Sequence, residues 1–175
     1  MRVLGREFVC TTDRAVFSGK GLDEGTRVLL ETAEVQAGAR ILDLGAGWGA
    51  VAVALGVRYG CEAVCVERNA RAAALCQRNL ERNGVHGKVL VGDGLAPVAD
   101  ERFDLILLNP PIRAGKGVYY PWLHKAKEHL RAGGSLWVVV RTSQGAKSLR
   151  RELEASYDDV RDAAIKHGYR VYCAR

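Results

Sequence analysis

Ala39-Arg40-Ile41-Leu42-Asp43-Leu44-Gly45-Ala46-Gly47-Trp48-Gly49 carries an apolar run into a glycine-rich turn, and the residues from Gly49 to Arg58 are crowded with Ala and Val. A strand that meets a helix through glycines opens a parallel α/β unit, because glycine lets the backbone turn tightly and approach a ligand at the carboxyl edge of a sheet. Outward from this turn, short Val/Ile/Leu runs alternate with longer helical patterns. Strands are predicted over 62–66, 89–91, 103–108 and 135–140, and helices over 69–82, 118–130 and 145–156. Near-continuous apolar runs are the mark of strands covered on both faces, so the fold class is α/β. Asn83-Gly84 reads as a left-handed stop for the 69–82 helix, and Gly133-Gly134 as the end of the 118–130 helix. Residues 165–173 read as two short strands around His167-Gly168-Tyr169, a reversed final pair that completes a seven-stranded, mostly parallel sheet.

Ahead of residue 39, a helix over 24–35 is entered from Phe17-Ser18-Gly19-Lys20-Gly21, a loop placed to fold over the glycine turn. Residues 1–38 are thus expected to cover the ligand site of a core formed by 39–175, within one structural domain of 175 residues. On the 69–82 helix, Ala72, Ala73, Cys76 and Leu80 share one side and Arg71, Arg78 and Arg82 lie opposite, which reads as a core face and a solvated face.

Lys and Arg total 26 against 20 Asp and Glu, giving a net charge of +6 and a pI near 9.2. Such an excess favours encounters with polyanions. Cys10, Cys61, Cys65, Cys76 and Cys173 form no CxxC pair and no His/Cys cluster at zinc spacing, so no metal site is expected. Most sit in apolar runs, where a free thiol behaves as a small core hydrophobe in a reducing compartment. The first residues contain no long apolar segment, and nowhere do ~18 apolar residues run without a charge. The expectation is a cytoplasmic protein with no membrane association.

A glycine turn alone is ambiguous. The dinucleotide fold uses one to hold a pyrophosphate, and Glu67, twenty residues after Gly47, occupies the place of a ribose-binding acid. Asp43 argues against that reading, since a carboxylate beside the turn repels a pyrophosphate but suits an ammonium group or a water bound to one. Asp93, in Gly92-Asp93-Gly94 at a third strand end, can accept a hydrogen bond from an adenine amino group. Trp48 is read as a core anchor.

The second motif supplies chemistry. Asn109-Pro110-Pro111-Ile112 follows the apolar run 103–108. Two prolines freeze the backbone, so that the Asn109 side-chain oxygen and the Pro110 carbonyl can converge on one planar amino group and aim its lone pair at a methyl carbon. Together the two motifs imply transfer of a methyl group from S-adenosylmethionine to an exocyclic nitrogen.

These residues resemble the class I S-adenosylmethionine-dependent methyltransferases, a Rossmann-like fold. More narrowly, the chain is similar to the small-subunit ribosomal RNA guanine-N2 methyltransferases and their single-domain bacterial relatives. The resemblance runs through Val16-Phe17-Ser18, Leu22-Asp23-Glu24-Gly25-Thr26 and Leu29-Leu30. It continues through Asp43 to Gly49, Asn109-Pro110-Pro111-Ile112-Arg113-Ala114-Gly115-Lys116, and Gly133-Gly134-Ser135-Leu136-Trp137. It implies that Asp43, Gly45, Gly47, Glu67 and Asp93 hold the cofactor and that Asn109 to Ile112 hold the acceptor amino group. Several family members carry an additional N-terminal domain that recruits RNA, and the segment before residue 39 is too short to be one. RNA contact would then fall to Lys20, Arg113 and Lys116, with Arg141 or Lys147, or to a second subunit in a homodimer.

The leading expectation is a guanine-N2 methyltransferase acting on small-subunit (16S) ribosomal RNA, free or in the ribosomal particle. A protein-glutamine or DNA-adenine N-methyltransferase is the alternative within the class, although those families usually place an aromatic where this chain has Ile112. The alternative outside it is a non-catalytic RNA-binding assembly factor. A flipped base commonly stacks on an aromatic ring, a role open to Phe17, Trp48 or Tyr119.

Overall fold

The computed structural model describes residues 2–13 and 21–175. A small hairpin, β1 (Arg2–Val3) and β2 (Arg6–Glu7), comes first, followed by α1 (Glu24–Thr32), β3 (Arg40–Leu44), α2 (Ala50–Tyr59), β4 (Glu62–Glu67), α3 (Ala70–Arg82) and β5 (Gly87–Val91). Then come β6 (Phe103–Leu108), α4 (Lys116–Ala126), β7 (Leu130–Arg141), α5 (Ala146–Glu154), β8 (Val160–Lys166) and β9 (Tyr169–Ala174). The main sheet has seven strands in the order β5-β4-β3-β6-β7-β9-β8. All neighbours are parallel except β7 with β9 and β9 with β8. The seven-stranded α/β expectation therefore holds, with the reversed pair at its predicted edge.

Period-two alternation along the strands sorts the core onto two faces. Ile41, Cys65, Leu107 and Trp137 pack with Leu29, Val53 and Leu80 of α1, α2 and α3. Leu42, Val66, Ile106 and Val138 pack on the other face with Tyr119, Leu123, Leu149 and Leu153 of α4 and α5. Both faces are covered, which is why the strands read as continuous apolar runs. Among the described residues no helix is long and apolar enough to cross a membrane, and all five cysteines are free.

Several boundaries differ from the sequence reading by two or three residues, and those of α4/β7 and β8 by more. The 118–130 helix ends early: α4 stops at Ala126, a single 3₁₀ turn spans Lys127–His129, and Leu130 already belongs to β7, opposite Phe103. Leu130 is apolar because it pairs in the sheet, not because it continues the helical stripe. Gly133-Gly134 lies in an irregularity of β7, where the register jumps from Phe103↔Leu130 to Leu105↔Ser135. A Cβ on Gly134 would sit 3.0 Å from the carbonyl oxygens of Phe103, Asp104 and Arg131, so close backbone approach, not helix termination, explains the glycine there. The other large difference is at the end of the chain, where β8 begins at Val160, earlier than predicted. Its turn, His167-Gly168, has φ of 52° and 78°, as a tight two-residue hairpin requires.

The arginine stripe of α3 is not simply solvated. Asn79 and Asn83, one helical turn apart, each exchange two hydrogen bonds with the backbone of the N-terminal segment. Asn79 Oδ1 accepts from Thr11 N at 2.8 Å while its Nδ2 donates to Thr11 O at 2.9 Å, and Asn83 does the same for Val9 at 3.1 and 2.9 Å. Arg82 donates to Thr11 Oγ1 and Arg71 pairs with Asp13. The side chains of α3 thereby serve as a strand-like partner for residues 9–13. Asn79 Nδ2 also donates to Trp48 O at 2.8 Å, which ties this segment to the glycine turn.

Candidate functional site

The chain builds β3, β4 and β5 toward one side, then returns to place β6 on the other side of β3. A doubly wound sheet opens a crevice beyond the carboxyl ends of its strands at that reversal. Here it is a cleft of about 250 Å³. Leu44, Gly45 and Gly47 line it from the end of β3, Glu67 to Asn69 from β4, Gly92 to Gly94 from β5, Asn109 to Pro111 from β6, and Trp122 from α4. Residues far apart in sequence thus meet because their strands end in register.

Gly45 and Gly47 have φ of +76° and +57°, and a Cβ on either would meet no protein atom within 4 Å. Such a Cβ would project into open space at the turn, so the glycines keep room beside the backbone. They do not serve as an amide nest. The N–H groups of Gly45 and Ala46 donate to Val66 O at 2.9 and 3.1 Å, Gly49 N donates to Ala46 O, and Gly47 N donates to Glu67 Oε2 at 2.9 Å. Those four amides are satisfied inside the protein and are not donors for a pyrophosphate, which weighs against the dinucleotide reading on a ground other than Asp43.

Glu67 closes the turn from the next strand. Its Oε2 accepts from Gly47 and its Oε1 from Asn69 N at 2.8 Å, which orients the carboxylate at the wall of the cleft. Asn69 in turn caps α3, accepting from Arg71 N and Ala72 N. Asp93, just past the end of β5, is exposed and lines the same cleft. Its neighbour Gly94 lies against Trp122, where a Cβ would come within 2.5 Å of the indole Nε1. Trp122 is thus the aromatic of the cleft. Trp48 and Tyr119, considered for stacking, are 2 % exposed and belong to the core, and Phe17 lies outside the described residues. The helical spacing of Trp122 hid this role, since core and cleft lie on adjoining sides of α4.

Asp43 does not line the main cleft. It faces an adjoining cavity of about 40 Å³ shared with Asp23, Thr26, Asn109 and the glycine turn. Only 4 % exposed, Asp43 accepts a hydrogen bond from Ala52 N at 3.2 Å. Burial pushes its carboxyl up to about 7; the Ala52 amide opposes the rise and the charge of Glu67 adds to it.

Asn109 borders both cavities. Its Nδ2 donates to Thr26 Oγ1 at 2.9 Å and to Asp23 Oδ1 at 3.3 Å. Pro110 and Pro111 continue the cleft wall, but Ile112 turns away: it opens a 3₁₀ turn, Ile112–Ala114, and packs against the α4/α5 core. The apolar type at that position is explained by packing. Arg113 is exposed in the same turn. Lys116 leans on α5, donating to Ser148 Oγ at 2.8 Å with its ammonium 5.8 Å from the Tyr120 ring. Lys20 lies outside the described residues.

Comparison with known proteins matches this geometry to named relatives. The chain is 37 % identical over 180 residues to the uncharacterized protein YbxB of Bacillus subtilis, covering 99 % of this chain and 89 % of that one. It is 31 % identical over 175 residues to ribosomal RNA small subunit methyltransferase C of Pseudoalteromonas translucida, covering 97 % of this chain but 50 % of the relative. The structure of the Thermus thermophilus 16S rRNA N2 G1207 methyltransferase, in complex with AdoMet and guanosine, superposes with a TM-score of 0.90 at 29 % identity. That match covers 100 % of this chain and 49 % of that one. The chain therefore spans about half the length of these two ribosomal RNA methyltransferases. With residues 7–173 matched end to end, it belongs to the methyltransferase small domain family.

Proposed function

We propose that the protein transfers a methyl group from S-adenosylmethionine to the exocyclic N2 of a guanine in small-subunit ribosomal RNA, in the cytoplasm. The observation that carries this reading is the pairing of the cleft with Asn109, whose amide nitrogen donates to Thr26 and Asp23 while its carbonyl oxygen has no hydrogen bond among the described residues. The likeness to a 16S rRNA N2 G1207 methyltransferase in complex with guanosine supports guanine over glutamine or adenine as the acceptor.

The cleft suits the cofactor in three respects. Gly45 and Gly47 leave space that a side chain would fill. Glu67 retains lone pairs for a ribose diol beyond the two amides it accepts. Leu44, Val66, Ala72 and Trp122 supply apolar walls for an adenine, and Asp93 an acceptor for its amino group. When bound, S-adenosylmethionine supplies an electrophilic methyl carbon on a sulfonium. Asn109 Oδ1 and the Pro110 carbonyl accept the two N–H bonds of the guanine amino group, which fixes the plane of the nitrogen and directs its lone pair along the line of displacement. In that arrangement the N–C bond would form as the C–S bond breaks, with S-adenosylhomocysteine as the leaving group and the surplus proton of the alkylated nitrogen passing to solvent water.

Asp43 makes cofactor binding depend on pH. A carboxyl raised to about 7 is half protonated near neutrality, and only its anion attracts the ammonium end of the cofactor. Affinity for S-adenosylmethionine is therefore expected to rise from pH 6 to 7.5, and the rise to vanish in Asp43→Asn, as read by calorimetry. Stability of the free protein runs the other way. A carboxyl whose folded pKa is raised contributes stability that is complete below its unfolded pKa and is lost as pH rises through the folded one. Asp43→Asn should accordingly raise the melting temperature at pH 8 while weakening cofactor binding.

RNA contact is assigned to the rim beside the acceptor site. Double substitution of Arg113 and Lys116 by alanine should weaken RNA binding and lower the slope of log K against log salt by roughly 0.7 for each phosphate left without its cation. An unchanged slope would move the RNA track elsewhere. The function itself is tested by mass spectrometry of small-subunit ribosomal RNA from a strain lacking the gene, with one N2-methylguanosine expected to be missing and restored by the wild-type gene. A full complement of methylguanosines in that strain would contradict the substrate.

A further inference from the structure

An asparagine offers two chemically opposite groups, and only its oxygen can accept from an amino group. What sets the orientation of Asn109 is a directed chain of hydrogen bonds ending in α1. Thr26 Oγ1 donates its single proton to Asp23 Oδ2 at 2.6 Å. Asp23, when ionised, can only accept, and its Oδ1 already receives Thr26 N–H at 3.0 Å as the N-cap of the helix. Toward Asn109, both residues therefore present lone pairs, Thr26 Oγ1 at 2.9 Å and Asp23 Oδ1 at 3.3 Å. Only an NH₂ group can face them. Rotating the amide by half a turn would set Asn109 Oδ1 against two acceptors.

The anchor itself is rigid. Thr26 is 5 % exposed, and a Cβ on Gly25 would lie 2.9 Å from Tyr169 Cε1, so the helix end is seated on β9. We propose that Asp23 and Thr26 are positioning residues for transfer: they hold the Asn109 amide so that its oxygen, not its nitrogen, meets the acceptor amino group. This rests on the acceptor role given to Asn109 above.

Three substitutions in the full chain separate this from a structural or cofactor-binding role. Thr26→Val keeps the shape and removes the hydroxyl, whereas Thr26→Ser keeps the hydroxyl. Asp23→Asn retains the helix cap through Oδ1, since Asn and Asp cap equally well, but puts an NH₂ where Oδ2 stood, so the Thr26 hydroxyl proton loses its acceptor and is freed to turn toward Asn109. In Thr26→Val and Asp23→Asn, kcat should fall about 10- to 100-fold. Cofactor Kd and RNA KM should stay near wild type, and Thr26→Ser should recover most of the rate. The Asn109 side-chain amide resonances, assigned by their absence in Asn109→Ala, should shift in both impaired variants and not in Thr26→Ser.

An active wild type whose kcat survives both Thr26→Val and Asp23→Asn overturns the positioning role and spares the acceptor reading. Cofactor Kd weakening in step with activity also overturns it, and assigns the pair to cofactor binding. A wild type that transfers no methyl group to RNA or to ribosomal particles removes the acceptor reading, and the positioning role with it.

Discussion

Replacing Asn109 by alanine is expected to lower kcat by about 10² to 10³, the cost of losing one pre-aimed polar group that acts on the reacting atom. Cofactor affinity should be nearly unchanged, because no hydrogen bond of Asn109 ties down the glycine turn or Glu67. The substitution also leaves Thr26 Oγ1 without its donor, a loss of about 1 kcal/mol in stability that a melting curve measures separately. Equilibrium binding and single-turnover rates on the same preparation read the split. If turnover stayed at the wild-type level, Asn109-Pro110-Pro111 would be no more than a rigid strand end.

Glu67→Ala is the second large effect and should have the opposite signature. The carboxylate is assigned to the ribose hydroxyls, and hydrogen bonds to a charged acceptor contribute about 1.5 to 3 kcal/mol, a loss in affinity of roughly 10- to 100-fold or somewhat more. The same change frees Gly47 N–H and Asn69 N–H, so the turn and the cap of α3 loosen together and add to the loss. Glu67→Gln keeps an acceptor and should sit between the two. At saturating cofactor, kcat should return toward wild type, since Glu67 lies away from the acceptor nitrogen. Unchanged affinity by calorimetry would take Glu67 out of the cofactor site.

Much of the fold is legible in the sequence because the signals are local. A strand buried on both faces reads as a near-continuous apolar run: Ala63 to Val66 in β4 and Leu105 to Leu108 in β6 are unbroken, and in β3 only Asp43 interrupts Ile41 to Leu44. The cleft follows from four strand ends in succession, so Gly45, Gly47, Glu67, Asp93 and Asn109 can be named from the chain alone, and their strands do converge. What escapes is set by tertiary contacts. Leu130 fits a helical stripe as well as a strand partner, and only its pairing with Phe103 decides between them. Trp122 shares its spacing with buried Tyr119 and Ala126, yet faces the cleft because Gly94 lies against it. Asp43 has the right chemistry but opens onto the neighbouring cavity. The arginines of α3 look solvated until residues 9–13 fold across them. For Asp23 and Thr26 a capping pattern is readable, but not its coupling to a residue 83 positions away.

The most direct measurement of the central claim is methyl transfer in vitro. The purified chain is incubated with methyl-labelled S-adenosylmethionine and small-subunit ribosomal RNA, free and as particles, from a strain lacking the gene, and the RNA is digested to nucleosides. Label is expected in N2-methylguanosine, and it should accumulate there about 10²- to 10³-fold more slowly with Asn109→Ala. Label in protein glutamine or DNA adenine instead would contradict the guanine acceptor. No label in any fraction, from a protein that binds the cofactor, would contradict methyl transfer altogether and favour a non-catalytic RNA-assembly role.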